Sequence, residues 1–398
     1  VDSVHLPRRL LLAGLGSAAV AAVAGCESHR ATSSTPRPTS SPRPTGASRG
    51  AGAALRRKIA SLLVVGFRGA QAPNWIIKAV RDGLGGVILF DQDLESKSVR
   101  NIRSPEQVTG LVNTLKSASP GRLIVSIDQE GGRTARLNPS NGFPATRSEA
   151  EIGAENSTSA TGDWARGLVA GLTRIGVNLN YAPVVDLNYA PVVDLNINPD
   201  SRAIGKLGRS FSADPDVVVS NATEEIQAHR AAGVKTCLKH FPGSGSAAGN
   251  TDFEVVDVSD TWQVKELEPF QRLIQAGLAD SVMAAHVLNK QLDPAYPASL
   301  SAATVTDLLR GRLGWRGPVV SDDMQAVAIT DRYGAAEAVA LALQAGLDLL
   351  VFANQQVHNE RVVEETVDTI TNLVRAGRIT EDRIDQSVAR VDSLRPKR

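Results

Sequence analysis

Val234-Lys235-Thr236-Cys237-Leu238-Lys239-His240-Phe241-Pro242-Gly243-Ser244-Gly245 begins as an apolar strand and ends in a lysine and an imidazole. It then turns on Pro-Gly and enters a Gly/Ser-rich loop that carries Asp252-Phe253-Glu254. A loop of that composition can move. Its carboxylates would meet Lys239 and His240 where the strand ends. A strand delivering its polar groups at its C-terminal end is the unit from which a parallel α/β fold is built.

The same unit recurs along the chain. Strand-like apolar runs occupy residues 60–67, 86–90, 122–128, 177–186, 234–240, 281–287, 318–321 and 347–353. Helical periodicity fills 105–117, 159–175, 216–232, 264–276 and 333–345, and two more helices fall near 360–375 and 381–394. Eight strands alternating with helices predict an α/β fold, a single-domain (β/α)8 TIM-type barrel over residues 55–398. The run 60–67 is open to a partly helical reading. No second globular domain fits.

In such a barrel, catalytic groups stand at the C-terminal ends of the strands. Polar residues collect there: Asp128-Gln129-Glu130, Asp186 or Asp194, Lys239-His240, His286, Asp322-Asp323 and Asn354. Asp186/Asp194 and Asn354 are expected to cap their loops. Neighbours on a strand point apart, so Asp323 is expected to be a structural hydrogen-bonder rather than a partner of Asp322 in the site. Lys239 at a strand end needs an anionic neighbour if it is buried. For His286, a satisfied strand-end imidazole and a ligand contact stay equally open. No His/Cys cluster has metal spacing and no phosphate loop occurs, so no cofactor or metal is expected.

Asn180-Tyr181-Ala182-Pro183-Val184-Val185-Asp186-Leu187 is repeated at once as Asn188-Tyr189-Ala190-Pro191-Val192-Val193-Asp194-Leu195. Eight is even, so either copy presents the same faces and either can serve as the strand. Doubling a loop costs only about 0.6 kcal/mol in closure entropy, which the fold can bear.

The ends bound location. Arg8-Arg9 precede an apolar run ending in Val23-Ala24-Gly25-Cys26. This predicts a signal peptide over 1–25 with a lipobox, Cys26 carrying lipid, and an extracytoplasmic protein anchored to the cell membrane. Residues 26–54 are rich in Ser, Thr, Pro, Arg and Gly and are expected to form a disordered tether. With Cys26 lipidated, Cys237 is left as a buried structural thiol. Net charge is +1, which argues against nucleic acid as a partner. A monomer is expected.

The order of motifs resembles glycoside hydrolase family 3, in its β-N-acetylglucosaminidase branch. The matching segments include Lys239-His240-Phe241-Pro242-Gly243, Ile127-Asp128-Gln129-Glu130-Gly131-Gly132-Arg133, Arg209-Ser210-Phe211, Met283-Ala284-Ala285-His286 and Ser321-Asp322-Asp323-Met324. The resemblance implies a retaining exo-β-N-acetylglucosaminidase acting on cell-wall fragments, with a small carbohydrate as its substrate. It implies Asp322 as nucleophile, and Asp128, Arg136, Arg209, Lys239 and His240 as sugar-binding residues. The branch reads Asp-Ser-His where this chain reads Asp252-Phe253-Glu254, so the proton-exchanging histidine is absent. Glu254 in its place, Asp252 alone, or a loop that has lost the role are the three readings the residues leave open. An impaired sugar-binding lipoprotein and a family 3 β-glucosidase are the alternatives in function.

Overall fold

The apolar runs become strands where both of their faces are covered. In the computed structural model, which describes residues 46–187 and 203–397, β1 (Leu63–Gly66), β2 (Gly86–Leu89) and β3 (Ile124–Ile127) are buried at every position. Such strands pack inward against each other and outward against helices, hence their Val/Ile/Leu content. β4 (Leu179–Asn180), β5 (Lys235–Thr236 and Leu238–Phe241), β6 (Val282–Ala284), β7 (Val319–Asp323) and β8 (Leu349–Phe352) follow. Neighbours pair in parallel, with Val87 beside Val125 and Ser321 beside Ala284, and β8 returns to β1 with Val351 beside Val64.

β5 differs from the single run expected over 234–240. It has two pieces, Lys235–Thr236 paired with β4 and Leu238–Phe241 paired with β6. The chain changes partner at Cys237, whose N–H donates to Ala182 O while the Leu238 N–H donates to Ser281 O. The ring of eight therefore closes through a step in β5. The Cys237 thiol is buried and unbridged, as expected, and burial pushes its pKa up to about 12.

The helices follow the periodicity, with local start signals. α1 (Gly46–Ala60) and α2 (Asn74–Arg81) precede α3 (Pro105–Ala118), which is capped by Ser104 accepting from Gln107 N–H, with Pro105 in the first turn. α4 (Glu149–Glu155) and α5 (Thr158–Ile175) start at Ser148 and Ser157, and α6 (Pro215–Ala231) at Asp214. α7 (Glu268–Gln275), α8 (Val327–Tyr333), α9 (Ala335–Ala345), α10 (Val362–Arg375) and α11 (Glu381–Val391) complete the series.

Two expectations are corrected here. α1 starts at Gly46, inside the stretch expected to be tether, because Leu55 and Ile59 give it a face to bury against the core. Its end at Ala60 also shortens the first strand to Leu63–Gly66. A helix with π spacing, Ala303–Arg312, lies between β6 and β7 where the sequence reading had none. Of the duplicated segment, the first copy supplies β4 and continues buried to Leu187. The second copy, Asp194 included, lies outside the described residues, as do Cys26 and the segment expected to be a signal peptide.

The N-terminal end of the barrel is held by charge. The Asp348 carboxylate is fully buried and accepts from Arg310, Arg390, Arg383, Ser387 and the Val319 N–H. This cluster ties α11 and the Ala303–Arg312 helix to the start of β7 and β8, at the pole opposite the polar strand ends.

Candidate active site

Alternation along the backbone decides which polar groups meet at the C-terminal end. After β3, Asp128 and Glu130 are two residues apart and share a face, while Gln129 points away. The Gln129 side chain bonds the Leu137 N–H and C=O instead. Asp128 and Glu130 both receive Lys239, at 2.9 and 2.6 Å. Lys239 is 1% exposed, so the anionic neighbour its burial requires is present twice. Arg209 adds a bidentate pair to Glu130 at 2.7 and 2.8 Å. Burial alone would neutralise Glu130, but Arg209 and Lys239 outweigh it and hold the carboxyl well below its ordinary range. Burial opposes the charge on Lys239, and Asp128 and Glu130 restore it.

His240 follows Lys239 and is fixed from the other side. Asp186 accepts from His240 Nδ1 at 2.7 Å, from the His240 N–H at 3.0 Å and from the Ser244 N–H at 2.8 Å. The expectation that Asp186 caps its own loop is therefore corrected: its carboxylate orients the imidazole and pins the start of the following loop. With Nδ1 donating, Nε2 is left to face the cavity, 3.4 Å from the Arg209 guanidinium. Gly243 is required at the turn, because its φ is +116° and a Cβ there would come within 2.6 Å of the Glu266 side chain. His286 is the satisfied imidazole of its two readings. Nε2 donates to the Asp323 carbonyl at 2.9 Å and Nδ1 meets the Ser299 hydroxyl at 2.6 Å.

Asp128, Glu130, Arg209, Lys239 and His240 line a cavity of about 450 Å³ together with Asp252, Asp322 and Asp323. Asp323 is the structural hydrogen-bonder anticipated, accepting from the Gln325 and Ala353 N–H groups through one oxygen. Asn354 caps as expected, its side chain bonding the Gly66 and Asn359 carbonyls. Arg136 sits on the cavity wall over the Phe90 ring, 3.8 Å from Asp128 and 4.0 Å from Asp91.

The loop carboxylates separate. Asn250 Oδ1 accepts from the Asp252 N–H, and Asn250 O accepts from the Phe253 and Glu254 N–H groups. The Thr251 and Asp252 carbonyls accept from Ala328 and Val327 N–H at the start of α8. This turn directs Asp252 into the cavity and leaves Glu254 exposed outside its lining, where it accepts from the Asn250 N–H at 3.3 Å. As an in-place substitute for the imidazole, Glu254 is not supported by this geometry.

The cavity carboxyls are driven apart electrostatically. Burial pushes Asp252 up to about 6, and the negative charge of Asp322 adds to the rise. Burial also opposes ionisation of Asp322, but the imidazoles of His286 and His240 and the Asp323 N–H at 2.8 Å hold it below the ordinary carboxylate range. A carboxyl raised to about 6, which holds its proton in mildly acid solution, and a carboxylate that stays charged, both lining one cavity, can perform acid-assisted displacement at a carbon bearing a leaving oxygen.

The sequence placed Glu130 at the strand end without a role, and it did not reveal the true partner of Asp186. The i, i+2 spacing of Asp128 and Glu130 was an available signal for the first. For the second none was, since Asp186 and His240 are 54 residues apart.

The family model described as glycosyl hydrolase family 3 N terminal domain matches residues 54–394. A Beta-hexosaminidase of Xylella fastidiosa (strain M23) is 35% identical over 312 residues, covering 75% of this chain and 85% of that protein. Among solved structures, a Beta-N-acetylhexosaminidase from Beutenbergia cavernae superposes with a TM-score of 0.75 at 29% identity, over 85% of this chain and 97% of its own. A family 3 beta-N-acetylglucosaminidase from a Paenibacillus species gives 0.75 at 33% identity, over 85% of this chain and 62% of its own.

Proposed function

We propose, from the premise that the chain belongs to glycosyl hydrolase family 3 and is a β-N-acetylhexosaminidase hydrolysing terminal β-linked N-acetylglucosamine, that Asp322 is the nucleophile and Asp252 moves the proton without a histidine. The observation that carries this is the opposed shift of the two carboxyls in one cavity.

In the first step an Asp322 oxygen attacks the anomeric carbon. The bond to the leaving oxygen breaks, and that oxygen takes the Asp252 proton. In the second, the Asp252 carboxylate takes a proton from water, and the water oxygen attacks the anomeric carbon and displaces Asp322. Lys239, Arg209 and Asp128 are assigned to the sugar hydroxyls, with Glu130 holding both cations in place. His240, oriented by Asp186, presents Nε2 to the same sugar. Arg136 extends the polar wall toward Asp91.

The test is turnover of an aryl β-N-acetylglucosaminide by the wild type and by Asp322→Asn. Turnover lost in the variant and retained anomeric configuration in the wild type are expected. An inverted product, or an active Asp322→Asn, would overturn the assignment.

We further infer lipid attachment at Cys26, and with it an extracytoplasmic, membrane-anchored enzyme that meets cell-wall glycan fragments. The motif Val23-Ala24-Gly25-Cys26 supports this reading. Membrane fractionation of cells expressing the full chain and a Cys26→Ala variant checks it, with release of the variant expected.

A further inference from the structure

Of the six large apolar side chains exposed among the described residues, four lie close in sequence to the lining of the cavity, and Val264 and Tyr296 lie elsewhere. Phe253 and Val255 are 56% and 53% exposed on the loop after β5, Val99 is 51% exposed after β2, and Val357 is 59% exposed after β8. Each stands within three residues of chain that lines the cavity: Asp252, Lys97 and Gln356. Covering the Phe253 ring with a ligand would remove apolar area from water, which is favourable. Phe253 is the one aromatic among these four.

The backbone presents Phe253 rather than letting it fold inward. Its N–H is tied to Asn250 O at 3.1 Å, and the preceding carbonyls of Thr251 and Asp252 are tied to α8. The ring therefore stands outside while its neighbour Asp252 faces the reaction centre. A sugar cleaved between Asp322 and Asp252 leaves from the Asp252 side, because the departing oxygen takes the proton from that carboxyl. The departing ring then emerges at the turn that carries Phe253.

We propose that Phe253 is a specificity-determining residue, a platform that takes the departing pyranose of a β-linked saccharide by its C–H face, with Val255 extending it. The polar cavity holds the terminal N-acetylated sugar through charge and hydrogen bonds. The mouth holds the next ring through apolar contact, which a pyranose offers on the face bearing its axial hydrogens. The inference rests on the assignment of Asp252 as the group facing the leaving oxygen. It adds that saccharide leaving groups are preferred over leaving groups with no ring.

The experiment compares kcat/KM for N,N′-diacetylchitobiose and for β-N-acetylglucosaminyl fluoride in wild type, Phe253→Ala and Phe253→Trp. Phe253→Ala should lower the disaccharide value by about five- to tenfold, the scale of one aromatic contact. It should leave the fluoride within about twofold, and Phe253→Trp should keep the disaccharide rate. Equal loss on both substrates, no loss on either, or a tryptophan variant as impaired as the alanine one would overturn the platform. Calorimetric binding of the disaccharide and of N-acetylglucosamine to Asp322→Asn, with and without Phe253→Ala, separates this from failure of the catalytic assignment. Loosening of the disaccharide alone supports the platform even where no turnover is seen, and equal change in both ligands rejects it.

Discussion

Replacing Asp252 by Asn removes a proton donor and leaves the shape of the side chain. Asp252 is pushed up to about 6 by burial and the Asp322 charge. A donor titrating there is roughly 90% protonated at pH 5, about 10% at pH 7 and about 1% at pH 8. The sign follows: the acid form is present below about 6 and is lost as pH rises through it, so kcat/KM of the wild type should fall about tenfold per pH unit above that point. Asp322, held below the ordinary range, stays ionised across this window and sets only the acid limb. In Asp252→Asn, kcat/KM for N,N′-diacetylchitobiose should fall by about 10²–10⁴-fold, the usual worth of a positioned acid. For an aryl substrate with a good leaving group, glycosylation should drop far less and the limb above pH 6 should disappear. The second step still lacks its base, so a burst followed by slow turnover is expected, and azide should restore the rate. Glu254→Gln should change either substrate by less than about twofold, since the side chain is exposed and outside the cavity. An Asp252→Asn variant that keeps the alkaline limb, or a Glu254→Gln variant as damaged as Asp252→Asn, refutes the reasoning.

Other perturbations test the supports. Asp186→Asn should raise KM and lower kcat/KM by about tenfold or more, because the His240 Nδ1 loses its anionic acceptor, while far-UV circular dichroism stays unchanged. Asp348→Ala should cost about 3–5 kcal/mol in urea unfolding, since Arg310, Arg383 and Arg390 lose their shared carboxylate at the buried pole of the barrel. Deleting residues 188–195 should leave thermal unfolding within a few degrees and activity retained, because the first copy already supplies β4 and the buried run to Leu187.

The barrel was legible because buried parallel strands must be continuous apolar runs, and the polar residues of the site sit where those runs stop. Lys239, His240, Asp128 and Asp322 come together as their positions at strand ends implied, and Arg209, which only the resemblance suggested, lines the same cavity. What stayed illegible depends on contacts far apart in the chain. The step in β5 arises because Cys237 and Leu238 bond different neighbouring strands. Asp186 leaves its own loop for His240 because the imidazole and the Ser244 amide arrive from another strand. Glu254 and Asp252 are two residues apart, and a strand reading would put both on one face. The Asn250 turn, bonded on to α8, is what separates them. The Ala303–Arg312 helix escaped notice because its i+5 spacing does not follow the 3.6-residue period.

The central claim is a covalent intermediate on Asp322 formed in a cavity whose proton mover is Asp252. Mass spectrometry of Asp252→Asn, quenched during turnover of the good-leaving-group aryl substrate and then digested, measures it directly. An N-acetylglucosaminyl adduct on the peptide bearing Asp322, absent from the Asp252→Asn/Asp322→Asn double variant, is the predicted result. No adduct at all, or an adduct retained in the double variant on Asp323 or another carboxyl, would contradict the account.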